Sequence, residues 1–414
     1  MRNASTAYLM LFCAVTLFFS PFALGETKAT IYRDTYGVPH IYADTAAAAA
    51  YALGYAQAED RLDDIYQNIR TALGSMAEFF GPEHVETDYI MRLFRNAQVC
   101  EEKWGEVPDP VRAICGGFMD GVKAYVAEHP ARVPEYAIEL EAWHCAAVGR
   151  AMILSWPLGV LRDDLRGKAS NPNIGSNGWA VSPSRSALGC PILLTDPHLT
   201  WESLAVFYEA RIHGGELNLA GFCLVGTPMV ALGHGEHVGW ACTTGGPDTS
   251  DVYMLKLNPD MPTQYEYEGK WLYPEIKFYR IPVKGEYKLR VMPAIYTIHG
   301  PLLEEPDTEN LVAYAGKTPY IDDIGLMEQF YAMATAKNTE EFFQALGMNH
   351  LMEQNLIFAD RDGNIGYARV GRTPIRPEGY DWSKPVPGHS KATEWLGLHP
   401  IEDLVHIFNP PQGY

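Results

Sequence analysis

The run Ile174-Gly175-Ser176-Asn177-Gly178-Trp179 holds the residue types best suited to chemistry. Alone, Gly-Ser-Asn-Gly is a common turn. Its place is unusual, because it sits mid-chain, directly after the polar, turn-rich stretch Gly167–Asn173. A serine that follows glycine can attack the carbonyl that precedes it, since glycine presents no side chain to block the approach. Hydrolysis of the resulting ester would leave Ser176 with a free α-amine. Such an amine has an ordinary pKa of ~7.7–8, so much of it is neutral near pH 7 and can act as a base. One residue would then supply nucleophile and base together.

Other candidates are less self-sufficient. His198 lies in Thr195-Asp196-Pro197-His198-Leu199. A histidine there can relay or tune a proton near neutral pH, or be an ordinary loop residue. The turn Gly246-Pro247-Asp248-Thr249-Ser250-Asp251 pairs two carboxylates, which suits Ca²⁺ as well as a solvated acidic turn. The pairs Arg33/Asp34 and Asp60/Arg61 read as structural. His84, His144, His213, His237 and His350 show no metal-ligand spacing.

The elements that must position these residues divide at Gly167. Residues Ala29–Tyr42 alternate apolar and polar around Gly37-Val38-Pro39, as a short strand and turn do. From Thr45 to Phe80, and again from Glu86 to Leu165, apolar residues recur at helical spacing. Beyond Ser176 come short runs rich in Val, Ile, Tyr, Phe and Trp: Trp179–Val181, Ile192–Leu194, Ala205–Ile212, Val238–Cys242 and Asn355–Val370. One helix returns at Thr339–Leu346, capped by Asn338 or Thr339. Helices segregated from strands point to an α+β fold.

Composition narrows the partners. The net charge of −19 argues against nucleic acid or an anionic membrane. Arg2, the apolar run Tyr8–Leu24 and Ala23-Leu24-Gly25 form a secretory signal pattern, with cleavage expected before Glu26. No later segment reads as long and apolar enough to span a bilayer, so the mature protein is expected to be periplasmic or secreted, with no membrane association. Six cysteines follow the leader, with no C-x-x-C pair. Export permits disulfides. Buried free thiols are the favoured reading, with Cys100–Cys115 the one candidate bridge.

Several of these motifs together resemble the penicillin acylase family of N-terminal-nucleophile hydrolases. The Ser176-Asn177-x-Trp179 start with Thr195–Leu199 is similar to that family's β-chain opening. Tyr32-Arg33-Asp34 with Gly37–Ile41, and Gly54-Tyr55 with Ala58 and Asp60-Arg61, resemble its α-chain start. Gly226-Thr227-Pro228, Gly233-His234, Trp240, Thr297-x-His299-Gly300 and Ala359–Gly366 follow in the family's order. The likeness runs from about Ile31 to Tyr414.

The resemblance implies an αββα sandwich, incomplete at the C-terminus. It implies a leader (1–25), a helical α-chain region (26–165), a linker or spacer (166–175) and the first part of a β-chain (176–414). It also implies self-cleavage into an α/β heterodimer. By that resemblance Ser176 is the nucleophile and His198 lies near its amine. Thr244 is an oxyanion donor through its backbone N–H. Asp248 and Asp251 hold a structural Ca²⁺, and no organic cofactor is expected. The acyl pocket should lie around Leu199–Phe207 and Gly221–Gly239; the second window has no Lys or Arg. That disfavours a dicarboxylic side chain, and the window's apolar residues suit a fatty or aromatic acyl group. With His198 this tips toward acyl-homoserine lactones or similar aliphatic acyl amides over phenylacetyl penicillins, within a class that also includes β-lactam antibiotics. The family's further oxyanion asparagine, and an arginine beyond it, follow an Asn-Pro-x-x-Gly-Tyr element; this chain ends on Asn409-Pro410-Pro411-Gln412-Gly413-Tyr414. A secreted amidohydrolase therefore competes with a truncated, inactive family member and with an exported non-catalytic binding protein.

Overall fold

The computed structural model describes residues 28–167, 175–246 and 248–414. The leader, most of the linker and Pro247 lie outside them. Eight helices are described: α1 (Ala46–Leu73), α2 (Ala77–Phe80), α3 (Val85–Leu93), α4 (Asn96–Lys103), α5 (Asp109–Glu128), α6 (His144–Arg166), α7 (Leu326–Thr335) and α8 (Thr339–Leu346). The strands that frame the site are β1 (Ala29–Arg33), β2 (Pro39–Ala43), β3 (Gly175–Val181), β4 (Ile192–His198), β5 (Phe207–Gly214), β6 (Leu217–Leu224), β7 (Val230–His234), β8 (Val238–Thr244) and β9 (Asp251–Lys256).

A nine-stranded sheet forms the centre. Its order is β1-β2-β5-β6-β7-β8, followed by the strands Gln354–Asp360, Ile365–Val370 and His406–Phe408. Only β2 and β5 run parallel; the other neighbours are antiparallel. One face packs on helices. Trp240 and Phe358, both fully buried, meet Phe342 of α8 at centroid distances of 5.7 and 5.1 Å. The β3–β4 hairpin lies on the other face. A Cβ on Gly178 would sit 3.0 Å from Ile357 and 3.4 Å from the Thr243 methyl. The α+β reading holds. Of the four layers that the resemblance implies, the described residues build a helical layer, the large sheet and, as the second sheet, this hairpin.

Local signals explain the helical layer. Thr45 caps α1 by accepting a hydrogen bond from the Ala48 N–H, and Gly74 ends it in the left-handed region at φ 63°. Asn338, not Thr339, caps α8. Helices α1 and α5 approach backbone to backbone. A Cβ on Gly121 would lie 1.9 Å from the Tyr51 carbonyl oxygen, and one on Gly54 2.0 Å from that of Phe118. Helix α6 has the length and hydropathy of a membrane span, contrary to expectation, but 72% of that window is buried inside the protein. It is a core helix. Arg150, 1% exposed, donates to the carbonyls of Phe94, Tyr320, Ile321 and Asp323 and to Asn96 Oδ1, tying α6 to both flanking regions.

The candidate Cys100–Cys115 bridge is corrected, and the favoured reading of buried free thiols holds for both. Cys115 turns toward Cys145, whose Sγ lies 3.9 Å from its carbonyl, and burial pushes the Cys100 thiol up to about 12, which keeps it protonated. Helix α7 was not anticipated, although Leu326, Met327, Phe330 and Met333 have helical spacing and are buried.

The α1–α5 contact gives a direct test. Gly121→Ala gains about 1 kcal/mol of helix propensity but drives a methyl into a backbone carbonyl. Overpacking typically costs ~1–3 kcal/mol, so a net loss of stability is expected in a urea melt.

Candidate active site

Ser176 is the second residue of β3, so it stands within a strand rather than at the end of a loop. Its partner across the hairpin is Pro197, while Gly175 faces His198. Opposed residues in an antiparallel pair share a face, and neighbours alternate. Ser176 and Pro197 therefore turn toward the large sheet. The Ser176 hydroxyl donates to the Gly175 carbonyl oxygen at 2.6 Å.

His198 is on the opposite face. Its Nε2 lies 2.9 Å from Asp196 Oδ2, which also accepts from Asn177 Nδ2 at 3.0 Å, and its side chain is 54% exposed. Those two bonds, that of Asn177 first, hold the Asp196 carboxyl below the usual carboxylate range. The structure does not bring the His198 ring to the Ser176 hydroxyl. The physical reason is the two-residue period of the strand.

Thr244 ends β8 and, with Ser176, lines an apolar cavity of about 50 Å³. Gly245 N–H donates to the Glu353 carbonyl. The alternation of an antiparallel ladder then turns the Thr244 N–H to the other edge of β8, where pairing with β7 ends at Trp240. That edge offers a backbone donor free of the ladder.

The cavity walls include Leu199, Phe207, Leu224, Ala231 and Leu232, within the windows anticipated from sequence. They also include Met152, Ile153 and Trp156 of α6, Leu326 and Phe330 of α7, and Leu351 and Met352, which were not anticipated. Pro157 follows directly and removes the helical donor to the Ile153 carbonyl. Among the described residues no charged side chain lines the cavity; the polar ones are Ser176, Thr243, Thr244 and Gln354. A larger cavity of about 470 Å³ lies in the outer strands beyond β9, around Leu255, Ile295 and Leu302. Among the described residues its lining includes no serine or cysteine.

The acidic turn joins a buried cluster. Asp164, Asp248 and Asp251 place carboxylate oxygens within 4.8 Å of one another. Arg376 lies between two of them, with Nε 3.1 and 2.9 Å from the Asp251 oxygens and Nη2 2.9 Å from Asp248. Trp395 Nε1 donates to Asp251 at 2.6 Å. Burial, reinforced by the neighbouring acids, pushes Asp164 up to about 8, and burial pushes Asp248 up to about 6. Glu353, hydrogen-bonded to the Thr249 hydroxyl, is raised by burial to about 7. Asp164 Oδ2, Ser250 Oγ and Glu353 Oε2 are buried without hydrogen-bond partners among the described residues. A desolvated, unpartnered Asp164 oxygen within reach of the Asp248 and Asp251 carboxylates fits a hard cation. The sequence reading missed Asp164 and Arg376. Paired acids in the last turn of α6, at the negative end of the helix dipole, were the available signal for Asp164; nothing marked Arg376.

A family model described as penicillin amidase matches residues 28–414, so the chain belongs to the penicillin amidase family. It is 26% identical to penicillin acylase 2 proenzyme of Pseudomonas sp. strain SE83, over 92% of this chain and 57% of that protein. It is 27% identical to acyl-homoserine lactone acylase PvdQ of Pseudomonas fluorescens Pf0-1, over 84% of this chain and 51% of that one. Against penicillin G acylase of Escherichia coli the identity is 23%, over 100% and 61%. The chain thus spans little more than half the length of these relatives. The structure of a thermostable penicillin G acylase from Alcaligenes faecalis superposes with a TM-score of 0.53 at 30% identity, over 57% of this chain and 42% of that one.

Arg376 offers a test of the carboxylate cluster. Arg376→Ala leaves Asp248 and Asp251 buried without their guanidinium. Removing one partner of a buried ion pair typically costs ~3–5 kcal/mol, which chemical denaturation in a chelator should show.

Proposed function

We propose that this chain is the catalytic core of an exported amidohydrolase that cleaves the amide bond of N-acyl compounds, with Ser176 as nucleophile. The single observation that carries this is the Ser176 hydroxyl, 2.6 Å from the Gly175 carbonyl oxygen at the mouth of an apolar cavity. In the uncleaved chain Ser176 Oγ would attack the Gly175 carbonyl carbon. The C–N bond breaks as the ester forms, and the proton from Oγ passes to the released amine. Water then hydrolyses the ester, separating an α-chain ending at Gly175 from a β-chain beginning at Ser176. The word proenzyme in the name of one relative supports this maturation.

In the mature heterodimer the Ser176 amine would take the proton from its own hydroxyl as Oγ attacks the substrate carbonyl. The Thr244 N–H would hold the developing oxyanion. His198, turned to Asp196 and solvent, would act on the hairpin's shape rather than on the proton. The cavity favours a short aliphatic acyl group, because its tight volume is bordered by adaptable Met152 and Met352 and none of the described residues lining it is a cation that could meet a second carboxylate. That favours acyl-homoserine lactones over β-lactams among the substrates named for the relatives. The leader would deliver the chain to the periplasm or beyond, with cleavage before Glu26. A structural Ca²⁺ would be held by Asp164, Asp248 and Asp251; Arg376 offsets only one of the charges gathered there with Glu353.

A second reading is a family member that binds acyl compounds without turning them over. The apolar cavity would serve binding alone as well as turnover.

Two experiments test these proposals. The expressed chain should yield a fragment whose N-terminal sequence begins Ser176-Asn177-Gly178, together with acyl-amide hydrolysis. Ser176→Ala should stay uncut and inactive; cleavage and hydrolysis at the parent's level in that variant would sink the proposal. A parent that is folded yet uncut and inactive would leave the binding reading. For the metal, Ca²⁺ at about 100 times its Kd should stabilise the chelator-treated protein by about 2.7 kcal/mol, while Asp164→Asn should abolish that gain.

A further inference from the structure

We infer that Asn355 is a positioning residue for the Thr244 N–H, an inference that rests on the catalytic reading of Ser176 and Thr244. Asn355 stands in the strand Gln354–Asp360, directly opposite Thr243 of β8. Its Nδ2 donates to Thr243 Oγ1 at 3.0 Å and to the Thr244 carbonyl at 3.1 Å. Its Oδ1 accepts from the Tyr367 hydroxyl at 2.7 Å. Both amide hydrogens are thus used, and none is left to reach a substrate. The side chain cannot be an oxyanion donor while it makes these bonds; it acts through the backbone that it holds.

That backbone needs holding. Pairing between β7 and β8 ends at Trp240, so residues 241–244 are supported by a neighbouring strand on one edge only. Gly245 and Gly246 follow, and Gly246 has φ +158°. The peptide between Thr243 and Thr244, which carries the N–H in question, would be free to tilt at the end of a strand that leads into glycines. Asn355 brackets it, gripping the hydroxyl before it and the carbonyl after it. The same bond to Oγ1 sets the Thr243 rotamer so that its methyl faces Gly178 of the hairpin, two residues from Ser176. One amide therefore sets the donor peptide and the seat of the nucleophile's strand together.

The test uses the processed protein with an acyl amide, a straight-chain alkylboronic acid and the alcohol of the same chain length. The boronic acid forms a tetrahedral anion on Ser176 and needs the oxyanion donor; the alcohol needs only the apolar cavity. A misplaced catalytic group costs up to ~100-fold, so Asn355→Ala should lower kcat by roughly 10- to 100-fold with KM nearly unchanged. Boronic acid affinity should fall in parallel and alcohol affinity should hold. Tyr367→Phe, which keeps Asn355 but removes one of its anchors, should shift kcat in the same direction by less. Parent-like kcat in Asn355→Ala would overturn the inference, as would an equal loss of boronic acid and alcohol binding. Hydrolysis persisting in Ser176→Ala would instead bring down the catalytic reading itself.

Discussion

Everything at the candidate site depends on how closely the β3–β4 hairpin lies on the sheet beneath it. Gly178 makes that approach possible. An added Cβ would stand 3.0 Å from Ile357 and 3.4 Å from Thr243, so any larger residue would lift the hairpin. With the hairpin seated, the strand period aims Ser176 and Pro197 inward and leaves His198, Asp196 and Asn177 outside. Contact between two layers thereby sets which of the chemically capable side chains face the cavity.

Helix α6 carries most of the remaining geometry. Near its start, Arg150 is fixed by five acceptors from two distant segments. In its middle, Met152, Ile153 and Trp156 wall the cavity. At its end, Asp164 enters the carboxylate cluster. A buried guanidinium satisfied by that many oxygens cannot shift without stranding its charge, so α6 is held in position along its axis. The cavity wall and the acidic cluster inherit that rigidity. Gly149 adds to it by letting α7 approach, since a Cβ there would lie 2.8 Å from Met327 and 2.9 Å from Leu326.

What could be read from the sequence was local. The capping Asn338, the strand runs and the Gly175-Ser176 step all declare themselves within a few residues. The cavity windows at Leu199–Phe207 and Gly221–Gly239 were visible because they lie along single strands and turns. The missed residues share a different property. Arg376 is 125 positions from Asp251, and Leu351 and Met352 reach the cavity only because the strand Gln354–Asp360 pairs with β8. No periodicity records such pairings. The face that His198 takes was hidden for a subtler reason. Its spacing from Ser176 was informative about the strand, but the choice of face turns on a one-residue offset that only the register with Gly175 reveals.

That offset bears on which group can serve as base. Among the described residues, the ring nearest Ser176 in the hairpin is bonded to Asp196 and faces solvent. Bringing it to the hydroxyl would mean slipping the register or rotating β4, which would bury Asp196 and expose Pro197 and Thr195. The carboxylate would then be buried in an apolar layer with Asn177 left on the other face, a cost that a single new hydrogen bond does not offset. An α-amine released at Ser176 by the proposed self-cleavage would need no such rearrangement, because it would be created on the residue that carries the hydroxyl. The hairpin that turns histidine away thus favours a nucleophile that makes its own base.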